Sequence, residues 1–228
     1  GLISYDLARI FEQVPDTPDG LCAWPGLALG WYEAVAVFDH AAQTIEIRGS
    51  GEAAEHLLEG LEAAPRPSYA HGLSRLEPVW SEARYLDAAR RAIEYVRAGD
   101  VFQVNLSHPF RGHVDGASAP YDIFTRLVRA SPAAFSAFFR IDTNRVVVTN
   151  SPERFVQVDA LGQVQTRPIK GTRPRGATPE EDGRLAAELL ASQKDRAENL
   201  MIVDLMRNDL ARVCRPGSVR VPELFAVE

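Results

Sequence analysis

The chain has 228 residues, 46% of them hydrophobic, and a formal net charge of −6. It can bury a substantial core, which excludes general disorder, and its acidity excludes a broad nucleic-acid surface, which needs Lys and Arg clustered over a face. No run of about 18 apolar residues and no basic, apolar and small-residue leader pattern is visible, so no membrane contact and a cytoplasmic location are the expectations.

In chain order, YEAVAVFDH and TIEIRG predict two strands joined by a hairpin turn at His40 to Gln43. EAAEHLLEGLEAA predicts a helix, and the prolines and glycine of residues 64 to 80 predict a connector. Ser81 then caps a helix with periodic Tyr85, Ala88, Ala89 and Ile93, which ends at Gly99. A strand VFQVNLSHPF, a helix through YDIFTRLVRAS and strands AFSAFFRI, RVVVTN and RFVQVDA follow. Leu161-Gly162 turns the chain into QVQTRPI, a single long helix is expected over about 184 to 213, and SVRVPELFAVE reads as a strand-like tail. This mixture predicts an α+β fold, with residues 1–64 the remnant of an N-terminal domain, 65–80 a connector and 81–228 half of a second domain. The chain starts and stops inside patterned sequence, and truncation at both ends is expected. Cys22 and Cys214 lack metal-type spacing and are read as reduced thiols.

The chemistry concentrates in TRPIKGTRPRG, residues 166 to 176, where Arg167, Lys170, Arg173 and Arg175 stand without an acid. Pro168 and Pro174 stiffen the backbone, Gly171 and Gly176 permit close approach or positive φ, and the arginines offer forks for carboxylates. Two readings stand side by side: a rigid cradle for a small anion, or a solvated basic loop paired with Glu180 to Asp182. Lysine, unlike arginine, can become a free amine when burial and nearby cations lower its ordinary pKa of about 10.4.

On the long helix, Met201, Ile202, Leu205 and Met206 form an apolar arc that also contains Glu198 and Asp209. An acid there must be paired, protonated or bound to a metal, unless it sits at the edge of the arc and reaches solvent or a neighbouring Arg. In NSPERF, Glu153 occupies the tip of a turn between strands.

GDVFQVNLSHPF, SPERF, RPIKGTRPRG and ENLMIVDLMRNDLARV, in this order, resemble the chorismate-utilising enzymes: anthranilate synthase and aminodeoxychorismate synthase component I, and the isochorismate and salicylate synthases. The resemblance covers about residues 80 to 228 strongly and the first 60 more loosely. It implies two stacked, mostly antiparallel β-sheets flanked by helices, Mg2+ as cofactor, and the dicarboxylate chorismate as substrate. Lys170 in PIKGT resembles the aminodeoxychorismate synthase branch, where anthranilate synthases usually carry a small residue. Gln103 stands where the isochorismate-type enzymes carry a lysine base.

That branch implies Lys170 as a nucleophile toward ring carbon C2, Glu153 as general acid at the leaving 4-hydroxyl, and Glu198 as a metal ligand. Arg167, Thr172, Arg173 and Arg175 are the expected substrate-binding residues. The implied reaction is amination of chorismate at C4 to 4-amino-4-deoxychorismate, with ammonia from a glutaminase (glutamine amidotransferase) partner, in para-aminobenzoate and folate biosynthesis. Family members are about twice as long, with a histidine-containing strand, a glycine-rich turn and a second metal glutamate that this chain lacks, so the chain as given is expected to be inactive. The alternatives are anthranilate synthase component I and a noncatalytic carboxylate-binding domain of the same fold.

Overall fold

The computed structural model describes residues 1–13, 24–63, 74–114 and 119–227. Two compact units divide the chain, one taking in Gly1–Arg126 and Phe138–Val148, the other Leu127–Ala137 and Thr149–Glu228. Most of the connector expected at 65–80 lies outside the described residues, as does Cys22.

In the first unit, β1 (Leu2–Ile3) pairs antiparallel with β2 (Leu27–Ala28), with a short 3-10 helix over Tyr5–Ile10 between them in sequence. The hairpin of β3 (Ala34–Asp39) and β4 (Thr44–Gly49) forms as expected, in unbroken register from Ala34↔Gly49 to Asp39↔Thr44. Its turn is fixed by Asp39, whose carboxylate accepts the N–H groups of Ala41 at 2.9 Å and Ala42 at 2.8 Å. Helix α1 (Glu52–Ala63) lies against both strands. Helix α2 (Glu82–Ala98) begins where the Ser81 hydroxyl accepts the Arg84 N–H and stops at left-handed Gly99, as its caps dictate. Strands β5 (Glu77–Pro78) and β6 (Phe110–Arg111) form another antiparallel pair.

Helix α3 (Ala119–Ala130) and the paired strands β7 (Phe135–Arg140) and β8 (Val146–Ser151) carry the chain through both units. In the first unit, Tyr121 meets Phe138 edge-on at 5.3 Å between ring centroids. In the second unit, β9 (Arg154–Val158) and β10 (Val164–Arg167) form an antiparallel hairpin. Its turn depends on Asp159, which accepts from the Leu161 and Gln163 N–H groups, and on Gly162 at φ 78°. Two helices complete this unit, α4 (Pro179–Ala191) and α5 (Gln193–Val213).

The class is α+β, built from helices and antiparallel ladders that are each two strands wide among the described residues. Three local expectations need correction. The strand expected over 101 to 110 is realised only at its end, in β6; the residues before it have no ladder partner among the described residues, and Phe102 stays 88% exposed. Apolar and β-branched residues favour a strand, but a strand exists only where its backbone groups are paired. The single helix expected from 184 to 213 is two, because Ser192 takes an extended conformation and its hydroxyl caps α5 by accepting the Asp195 N–H at 3.3 Å. The tail from Ser218 contains no strand among the described residues, despite its alternating pattern.

The start of α4 precedes the expected position because Thr178, Pro179 and three acids supply a complete initiation signal: the Thr178 hydroxyl accepts the Glu181 N–H, and the Glu181 carboxylate accepts the Ala177 N–H at 2.8 Å. Replacing Thr178 by alanine should lower stability by about 1 kcal/mol in urea unfolding, and by serine hardly at all. Equal stability of the alanine variant would show that this cap does not hold the helix start.

Candidate active site

The basic stretch begins where β10 ends. Pro168 has no N–H with which to continue the ladder, and the peptide group between Pro168 and Ile169 turns to side chains instead. The Ile169 N–H donates to Glu153 Oε1 at 3.0 Å, and Asn199 Nδ2 on α5 reaches the Pro168 carbonyl through a long hydrogen bond of 3.5 Å. Gly171 then takes φ 75° so close to the helices that a Cβ would lie 2.9 Å from Asp195 Cβ and from Leu189 Cδ1. At Gly176 a Cβ would stand 2.2 Å from the Asp182 backbone nitrogen, so the chain can pass the first turn of α4 only as glycine.

Two of the four cations are committed to these helices. Arg173 donates through Nε to Glu188 at 2.8 Å, through Nη2 to Asp195 at 3.2 Å and through Nη1 to the Thr172 carbonyl at 2.9 Å. Arg175 grips Asp182 with two parallel bonds of 2.7 Å, while the Gly176 N–H donates to the same carboxylate. Asp182 is held below the ordinary carboxylate range first by Arg175 and then by the Gly176 N–H. Asp195 is held below it by the Ser192 hydroxyl first, then by Arg173, against partial desolvation. The pairing with Glu180 to Asp182 weighed from the sequence is therefore realised through Asp182. Glu188 and Asp195 were not anticipated: they lie on two helices, and only the fold brings both to Arg173.

Lys170 differs from both arginines. Its side chain has no ion-pair or hydrogen-bond partner among the described residues, and it lines an open groove of about 1260 Å³. Arg167, Thr172, Asn199 and Val203 line the same groove, and Arg173 and Arg175 border it with their guanidinium groups already engaged. Glu153 stands beside the groove with its carboxylate on the Ile169 N–H. The structure thus places Glu153, Arg167, Lys170, Thr172, Arg173 and Arg175 within one unit, on or against one bend.

Glu198 is set apart from them. Its carboxylate is 40% exposed and meets Lys194 Nζ at 3.5 Å, one helical turn away, and its neighbour Asn199 is the residue that reaches the groove. Among the described residues no group of three or more His, Cys, Asp or Glu could hold a metal ion. A lone glutamate beside a lysine does not by itself fit a divalent cation.

A groove that keeps one ammonium uncommitted among the described residues, next to guanidinium groups held by the protein's own acids, offers a positive site to a small anion. The chain belongs to the chorismate binding enzyme family, whose profile matches residues 1–228. It is similar to aminodeoxychorismate synthase component 1 of Salmonella typhimurium, at 42% identity over 234 residues covering 100% of this chain and 50% of the relative. The Escherichia coli protein of that name is 40% identical over 230 residues, with the same coverage. Anthranilate synthase component 1 of Thermus thermophilus is 40% identical over 244 residues, covering 100% of this chain and 51% of the relative. The chain spans about half the length of the curated relatives it matches. No helix among the described residues is long and apolar enough to cross a membrane.

Because Asp182 and Asp195 have depressed folded-state pKa values, their contribution to stability is fully present above the unfolded value near 3.8 and is lost as pH falls through the folded values. Asp182→Asn should flatten the acid limb of the stability profile below about pH 4. An unchanged acid limb would show that the Arg175 fork does not hold the bend.

Proposed function

We propose that the protein carrying this chain aminates chorismate at C4, giving 4-amino-4-deoxychorismate, in the cytoplasm and within para-aminobenzoate and folate synthesis. Ammonia would come from a glutamine amidotransferase subunit or domain; the designation "component 1" of the relatives speaks for a partner in those proteins. The single observation that carries this reading is Lys170, the cation of the bend that lines the groove without a side-chain partner among the described residues.

In this reading, Nζ of neutral Lys170 forms a bond to ring carbon C2. The two ring double bonds shift toward C4, and the 4-hydroxyl leaves as water with a proton from Glu153. Ammonia then forms the C4–N bond, the double bonds return, and the C2–Nζ bond breaks to restore Lys170 after the excess proton is lost. Arg167, Thr172 and the rims of Arg173 and Arg175 would orient the two substrate carboxylates. Because Arg173 and Arg175 are already bound to carboxylates, their part is to shape the groove more than to pair with the substrate.

Anthranilate synthase activity is the second reading, favoured by relatives such as the Thermus thermophilus protein. It gives no role to an amine at position 170. Replacing Lys170 by arginine separates the possibilities, since arginine keeps the charge and loses the nucleophile. In the complete enzyme with chorismate, Mg2+ and ammonia, Lys170→Arg should reduce amination on the order of a hundredfold or more, and the parent should show a substrate-sized mass adduct on Lys170. Near-normal amination by the variant, without an adduct on the parent, would remove the covalent step.

Mg2+ is proposed as a cofactor with Glu198 as one ligand. The remaining positions would be filled by waters, substrate oxygens and acids beyond the described residues. Glu198→Gln should raise the Mg2+ concentration needed for half-maximal activity about tenfold with the fold preserved. An unchanged requirement would take Glu198 out of the metal site.

A further inference from the structure

The Glu153 and Asn199 contacts fall on the two ends of the same peptide group. The carbonyl of Pro168 and the N–H of Ile169 belong to one planar unit, two bonds of backbone before Lys170. Asn199 on α5 approaches its oxygen at 3.5 Å, and Glu153 from the turn between β8 and β9 takes its hydrogen at 3.0 Å. The unit sits just past the end of β10, where no strand remains to bind either group, and Pro168 offers no N–H of its own. A peptide plane held at one end can still swing about its axis; a second contact at its other end, from an element distant in sequence, restricts that swing. Immediately downstream, Gly171 is pressed against Asp195 and Leu189, so the short arc that carries Lys170 is pinned before and after.

We propose that Glu153 and Asn199 form a two-sided clamp on the Pro168–Ile169 peptide, and that Asn199 is a positioning residue for Lys170. Asn199 touches no reacting atom; it acts through the backbone. The clamp gives Glu153 a positioning duty separate from proton donation, because here its carboxylate oxygen is an acceptor. The functional half of this proposal rests on the reading of Lys170 as nucleophile, while the structural half stands independently.

Two nearly isosteric substitutions test it in the complete enzyme. Asn199→Asp removes the donor, and Glu153→Gln keeps an acceptor for Ile169 while removing the acid, unlike Glu153→Ala. The readouts are amide hydrogen exchange in the peptide containing Ile169, and kcat and KM measured separately. Asn199→Asp should speed exchange at Ile169 and lower kcat about tenfold, with KM within about twofold, the effect of one lost orienting hydrogen bond. Glu153→Gln should exchange Ile169 at the parent's rate, and Glu153→Ala about tenfold faster. Parent-like exchange and kcat in Asn199→Asp would overturn the clamp, as would equal exchange in the glutamine and alanine variants. If Lys170→Arg retains amination while Ile169 exchange responds as expected, the nucleophile reading fails and the clamp stands. If Lys170 carries the substrate adduct and Asn199→Asp behaves as the parent, the reverse holds.

Discussion

The second unit depends on the anchoring of a basic bend to an acidic helix pair. Asp182 at the start of α4, Glu188 near its end and Asp195 in the first turn of α5 take Arg175 and Arg173 between them. Isolated exposed ion pairs contribute little, and this set gains from geometry: the Arg175 fork is bidentate, Asp182 also binds the Gly176 N–H, and Asp195 is only 14% exposed. Asp182 and Asp195 also lie in the first turns of their helices, where the helix dipole favours an anion. The acids therefore do two jobs, starting helices and holding the bend.

The choice of residue at each basic position follows from that division. Arginine, rigid and always charged, suits positions 173 and 175, where a planar fork must be held against carboxylates. A lysine in either place would lose the fork: one of the two bonds from position 175 to Asp182, or one of the two acids around Arg173. At position 170 the requirement is reversed: an amine stands at the groove with no ion-pair partner among the described residues. The acidic composition of the chain is thus compatible with a locally cationic bend, because Asp182, Glu188 and Asp195 are engaged with Arg173 and Arg175.

What could be read from the sequence divides along the same physical line. Features encoded by neighbouring residues were legible: the Ser81 and Gly99 caps of α2, the β3–β4 hairpin, the Gly162 turn, and Gly171 and Gly176 as points of positive φ or close approach. Features that need a distant partner were not. The 101–110 segment has strand composition, yet it has no ladder along most of its length. Nor did helical periodicity disclose the break at Ser192, because the residues around it keep helical spacing and a side-chain cap alone interrupts them. At the site, the residue types around Lys170 were legible, and its contrast with Arg173 and Arg175 was not. Glu198 stood out on a helical wheel for its place in an apolar arc, and in three dimensions it is the edge acid that reaches a lysine one turn away.

Asn199 shows why such sites resist single-motif reading. Nothing in the residues around it marks it, since an asparagine in a helix beside an acid is ordinary, and its significance comes from a carbonyl 31 residues earlier in the chain. The same holds for Glu153, whose partner N–H lies 16 residues later. The Pro168–Ile169 peptide needs both because a proline has ended the ladder that would otherwise satisfy it, and a polar backbone group beside a groove must find a partner or remain open to water. RPIKGT alone does not supply the partners of this peptide group. In the proposed clamp, SPERF supplies an acceptor on one side of that peptide and ENLM a donor on the other, so three separate motifs meet at a single peptide group next to the lysine.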